Sequence, residues 1–190
     1  MRIRFQFDSA KALNAIVFLI NRLGTLEKVR LMKLLYIADR EHFIRHGRPI
    51  TGDDLYAMPW GPVPSRCLSL VNGEVSAEKT FKVIDVHNND VALQADQACE
   101  GCGLTASEES ILSEVAERYG GFSRWQLVKM THKFPEYDRH YIDDTSTPIP
   151  FESILELHGD ESKFRKNRPV ISHETAAAMR NPFPQVNEEL

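Results

Sequence analysis

Cys99 and Cys102 frame a Cys-Glu-Gly-Cys pair, a spacing that can supply half of a tetrahedral zinc site or act as a dithiol. A closed zinc site needs two more ligands, and the remaining cysteine, Cys67, stands alone. Distant histidines or a second copy would have to complete it, so a Gly-containing loop is the simpler reading. His42 and His46 fall at i, i+4, where two rings on one helical face could share a metal. Glu41 precedes His42 instead of following it, however, which is not the order of the H-E-x-x-H metallopeptidase helix. We read both as exposed histidines at a helix end closed by Gly47, where a cation suits the helix dipole. Asp39 adjoins an apolar run, and a carboxylate there needs donors such as the backbone N–H groups of the following turn. Thr131 and His132 end a helix and are expected to make a hydrogen-bonded corner tying it to a Pro-rich turn. The chain has no G-x-S-x-G elbow, phosphate loop or dinucleotide fingerprint. These residues do not converge on a catalytic set, and neither a metal nor an organic cofactor is expected.

The elements that carry them read as mainly helical. Ser9 is the expected N-cap of a first helix, with Leu13, Ile16, Val17, Ile20 and Leu23 on one face and Gly24 as its stop. A second helix is expected from Thr25 to Gly47. Its middle, Leu31-Met32-Lys33-Leu34-Leu35-Tyr36-Ile37-Ala38, is apolar nearly all round, which marks a helix covered by neighbours and the centre of the core. Between 48 and 64, Pro49, Gly52, Pro59, Gly61, Pro62 and Pro64 forbid a regular helix and impose extended or turn geometry. Within it, Trp60-Gly61-Pro62-Val63-Pro64-Ser65 has the makings of a structural clasp over the central helix, anchored by a buried Trp60 ring. A short helix is expected over 65–71. Partial alternation over 81–86 and 91–95 around His87-Asn88-Asn89-Asp90 predicts a β-hairpin that leans on helices. Thr105-Ala-Ser-Glu108 and Ser123-Arg-Trp-Gln126 are capping boxes opening two helices, the second with Trp125, Leu127, Val128 and Met130, joined by the Gly120-Gly121 corner. A short helix follows over 151–158. We therefore expect a mainly α fold with a small β-hairpin, one compact domain over 1–159, and a tail over 160–190 that orders only on a partner.

Composition narrows the classes of partner. The 23 Lys and Arg are outnumbered by 27 Asp and Glu, a net charge of −4, whereas neutralising phosphates needs a concentrated cationic face. The corner between the two capped helices resembles a helix-turn-helix, with Arg124, Gln126 and Lys129 on the second helix, but Glu108, Glu109, Glu114 and Glu117 on the first present an acidic surface that would repel DNA. No apolar run approaches the ~20 residues that span a bilayer, and the amino end lacks the pattern of a secretory signal. Three cysteines do not make a secreted disulfide framework, so a reducing, cytoplasmic location is expected.

Taken together, Lys33-Leu-Leu-Tyr-Ile-Ala-Asp-Arg-Glu-His42, Gly47-Arg-Pro-Ile-Thr-Gly52, Ala57-Met-Pro-Trp-Gly-Pro-Val-Pro-Ser65 and Thr131-His132 resemble the Panacea domain, the SocA-like antitoxin family. The resemblance spans roughly 9–151, and the order and spacing of the blocks carry it. Leu34, Leu35, Tyr36 and Asp39 match the central helix, Gly52 the turn after it, and Gly61, Pro62, Val63 and Pro64 the signature loop. Trp60 stands where many members have Tyr, so an aromatic is retained. The resemblance implies a compact helical domain, found in bacteria and on phage and other mobile elements, that suppresses a toxin encoded by the adjacent gene. It implies direct protein binding as the commonest mode, without an active site. Delivery of the toxin to a Clp-type protease, or autoregulation of the operon by DNA binding, are the alternatives, and homo-oligomers stay open. The residues that touch a toxin do not carry over from the motif.

Overall fold

The computed structural model describes residues 3–74, 81–86, 90–95 and 103–158; the Cys99 and Cys102 pair and the tail over 160–190 lie outside the described residues. α1 (Ser9–Leu23) is capped by Asp8, whose carboxylate accepts from the Lys11 N–H, and not by Ser9 as expected. A carboxylate at the N-terminus also meets the positive end of the helix dipole, which favours Asp over the neighbouring hydroxyl. Ala12, Ala15, Ile16, Leu19 and Ile20 form its buried stripe. Thr25 does not cap the next helix, because the chain first makes a two-residue strand, β1 (Leu26–Glu27), and α2 (Lys28–His46) starts from Glu27. Gly47 closes α2 in the left-handed conformation, with its N–H on the Phe43 carbonyl.

α2 is the axis of the fold. Leu31 to Arg40 are all buried, as the all-round apolar pattern requires, and α1 packs on this helix, as do later helices and strands from both sheets. The Pro-rich stretch becomes β2 (Leu55–Met58) and β3 (Gly61–Pro64), an antiparallel hairpin around Pro59 and Trp60 with Leu55 opposite Pro64 and Ala57 opposite Pro62. Pro62 and Pro64 alternate along an edge strand, so their missing N–H groups fall on the side without a ladder and the strand survives. α3 (Ser65–Asn72) follows directly. β4 (Phe81–Val86) and β5 (Asp90–Ala95) form the expected hairpin, which is fastened to the domain by β1 pairing with β5.

α4 (Ala106–Tyr119) and α5 (Arg124–Thr131) open on the two reciprocal capping boxes, at Thr105 with Glu108 and at Ser123 with Gln126. Each helix packs against α2, so the Gly120-Gly121 corner joins two helices laid on a common axis. α6 (Pro135–His140), unforeseen in the sequence, starts on a proline, and β6 (Thr147–Pro148) adds to β2 before α7 (Phe151–His158). The class is mainly α, with two small antiparallel sheets ordered β1-β5-β4 and β3-β2-β6.

Candidate functional site

The motif residues are chiefly buried, and they connect α2 to what surrounds it. Asp39, fully buried, accepts from the N–H groups of Ile50 (2.8 Å) and Thr51 (2.9 Å) and from the Thr51 hydroxyl. The expected donors of the following turn are therefore present. Burial pushes the Asp39 carboxyl up to about 7, against the downward pull of these donors. Asp53, two residues on, accepts from the N–H groups of Arg66 (2.9 Å) and Cys67 (2.7 Å). It thus caps α3 from a distance, as Pro64 at the cap position offers no side-chain oxygen. Between the two aspartates Gly52 turns with φ +70°, its Cα facing the Gln6 carbonyl so closely that a side chain would overlap the oxygen. Burial raises the Cys67 thiol well above its ordinary value, with Asp53 adding to it, so this cysteine is an inert core residue.

Tyr36 and Arg40 leave α2 one turn apart and meet the same carboxylate. Glu136 Oε1 accepts from the Tyr36 hydroxyl (3.1 Å) and from Arg40 Nε (2.5 Å), while the Arg40 guanidinium lies over the Phe134 ring at 4.5 Å. All three polar residues are buried, so the charges are matched without water. Glu136 was not apparent as a partner in the sequence, being 96 positions from Arg40.

His42 is buried, not exposed as expected. Its Nδ1 lies 2.7 Å from the Arg48 carbonyl, to which it can only donate, which leaves Nε2 to accept from the Ser107 hydroxyl at 3.2 Å. That tautomer is neutral, and burial lowers the ring to about 4. The His46 ring lies 4.5 Å away, centre to centre. Among the described residues no group of three or more His, Cys, Asp and Glu is placed to hold a metal ion. A histidine whose folded value is below its unfolded value of ~6.5 contributes stability that is complete above pH 6.5 and lost as pH falls toward 4. Asp39, held up to about 7, acts with the opposite sign over pH 4 to 7, gaining stability as pH falls. The difference between the parent and His42→Gln isolates the ring. In thermal melts at pH 7 and pH 4.5, the parent should lose about 2 kcal/mol more than the variant, and parallel pH profiles would refute the assignment.

Glu108 is also buried, which corrects its place on a repelling acidic surface. Lys11 (2.7 Å) and Arg48 (2.5 Å) both reach its Oε1, and Oε2 accepts from the Thr105 N–H. Burial would raise this carboxyl; the donors outweigh it and hold the group at about 2. Glu114 and Glu117 pair with Arg45 and Arg22, so three of the four acidic residues of α4 are engaged with neighbouring cations.

The signature loop departs most from expectation. Gly61 (φ +94°) is pressed against Thr131 and His132: a Cβ there would stand 2.9 Å from Thr131 Oγ1 and 3.1 Å from Lys33 Nζ. Thr131 gives its hydroxyl to its own helix, to Leu127 and Val128 carbonyls, so the expected corner is made by contact and not by a hydrogen bond from Thr131. The polar tie is Tyr137, which stacks on His132 at 4.7 Å and donates to the Met58 carbonyl at 2.9 Å. Fully buried Lys33 donates to the Pro62 carbonyl at 2.8 Å and thereby satisfies the open edge of β3; burial lowers its ammonium to about 7. Trp60 is not buried. It is 54% exposed, as is Trp125, and the two rings face each other at 5.7 Å. Trp60 was expected to anchor the clasp by burial, and the clasp is instead held by Gly61, Pro62 and Val63, all buried.

Beside this tryptophan pair runs a groove of about 310 Å³, walled by Val29 and Met32 of α2, Met58, Pro59, Trp60 and Val63 of the hairpin, and Leu68 of α3. Lys28 and Lys33 supply the charged side chains along it. Monomer surfaces seldom leave two adjoining tryptophans open beside an apolar groove, and such patches mark protein contacts. No described helix is long and apolar enough to cross a membrane. A family model described as antitoxin SocA-like, Panacea domain, matches residues 31–137, which takes in most of α2, both hairpins, α4, α5 and the Glu136 carboxylate. Comparisons with curated proteins and with solved structures return no match.

Proposed function

Because this chain belongs to the Panacea domain family of SocA-like antitoxins, we propose that it neutralises a cognate protein toxin by binding it directly. The observation that carries the reading is the family match combined with an open tryptophan pair and apolar groove on the signature loop. The polar motif residues are engaged in holding the fold, so the work is assigned to the surface they support. The toxin is the product of the adjacent gene, met in the cytoplasm, and the 1–159 domain does the binding, with residues 160–190 adding contacts once the partner is present.

Co-expression with the adjacent gene product tests this. Growth rescue, together with co-purification of the two proteins at a fixed ratio, is the expected result. Undiminished toxicity with no complex would refute it. Rescue accompanied by a shortened toxin half-life that recovers in a strain lacking the Clp protease would replace occlusion with delivery for degradation.

A further inference from the structure

We infer that the groove beside Trp60 is the toxin-docking site, and that its occupant is an acidic toxin segment that inserts one aliphatic or aromatic side chain. This rests on the antitoxin reading and specifies the chemistry of the contact. The groove wall is almost wholly apolar, and a cleft of about 310 Å³ has room for a large side chain with its flanking backbone. Trp60 lines the groove and Trp125 adjoins it from outside, the two rings tilted 59° to one another, and exposed tryptophans beside a pocket are residues on which binding energy concentrates.

Charge identifies the occupant. α5 and its flanks, residues 123–134, contain no Asp or Glu, but they carry Arg124, Lys129 and Lys133. The Arg124 guanidinium stands 5.1 Å over the Trp125 ring, and Lys129, four residues on from Trp125 and exposed, shares its helical face. The segment that carries Trp125 is thus rich in cations and free of acidic residues, on a chain whose net charge is −4. A second copy would bring this patch against itself about a two-fold axis, cation against cation, which opposes self-association. Single-stranded nucleic acid would use the cations and the indole faces, yet it would leave the aliphatic cleft of Val29, Met32, Met58 and Leu68 unfilled. An acidic segment with one apolar side chain satisfies both halves.

The test is binding of the full chain to the purified adjacent gene product, with growth rescue in parallel. Trp60→Ala and Trp125→Ala should each weaken the complex about 100-fold and abolish rescue, with melting temperature within about 2 °C of the parent because both rings are half exposed. Lys129→Glu should slow association about tenfold at low salt and flatten its salt dependence. Glu117→Ala, on the exposed face of α4, should leave the complex unchanged. Rescue and affinity unaltered in both tryptophan variants, with the parent active, would overturn the docking site alone. A parent that neither binds nor rescues would overturn the antitoxin reading and this inference with it. Tight binding of an oligo(dT) strand that both tryptophan variants lose, or a parent dimer that Trp60→Ala dissociates, would overturn the choice of occupant.

Discussion

Glu136→Ala is expected to destabilise the domain by about 3 kcal/mol, more than most single changes, because it strands a buried guanidinium. In the parent the carboxylate answers both Arg40 Nε and the Tyr36 hydroxyl. Without it Arg40 retains Glu41 (3.0 Å) and the Phe134 ring, which is why the loss stays near the lower end of what a broken buried pair costs. Glu136→Gln keeps a neutral acceptor and should lose less. The joint change Arg40→Leu with Glu136→Leu should recover part of the loss, since it removes the charge needing compensation along with its partner. Urea denaturation of the three variants provides the check. A Glu136→Ala chain within about 1 kcal/mol of the parent would mean that solvent reaches this pair and the network is not a stabilising element.

Gly52→Ala should be comparably damaging, about 3 kcal/mol, for a different reason. Part of the loss is conformational, as an L side chain at φ +70° is strained by roughly 1 kcal/mol. The larger part is displacement of backbone, since the new methyl occupies the space of the Gln6 carbonyl. Moving Gln6 disturbs the Asp8 N–H bond to the Thr51 carbonyl and the Phe5 ring, which packs edge-on to Phe43 and Phe151 at 5.8 and 5.0 Å. Gly103→Ala is the matched control: its φ is +66°, but its nearest neighbour would be Asn14 Nδ2 at an ordinary 3.6 Å. Equal melting temperatures for the two variants would show that close approach does not dictate glycine at 52.

Local signals carried much of the helical part. Two reciprocal capping boxes are written in four residues each, and the all-round apolar run of α2 states its own burial. The β2–β3 hairpin was illegible because Pro62 and Pro64 look like strand breakers until their edge position, with Lys33 beneath the Pro62 carbonyl, is known. Glu108 and His42 looked like surface residues for the same kind of reason: the partners that make burial tolerable, Lys11 and Arg48 for one and Ser107 for the other, come from other elements. For Trp60, residue type misled. A large ring is usually core, and only packing shows that Trp60 and Trp125 have each other and open solvent. Asp39 could be read correctly because its donors lie in the next turn of chain, 11 and 12 residues on.

The partner of Arg40 at position 136 also has a meaning in time. A ribosome delivers α2 long before α6, and at ~5–20 residues per second the 96-residue interval between Arg40 and Glu136 corresponds to roughly 5 to 20 seconds of elongation. Throughout that interval the guanidinium and the Tyr36 hydroxyl lack the carboxylate that makes their burial favourable, so the nascent central helix stays hydrated on that side. Closure of the core is therefore an event of late translation, and contacts of such long sequence separation slow folding further.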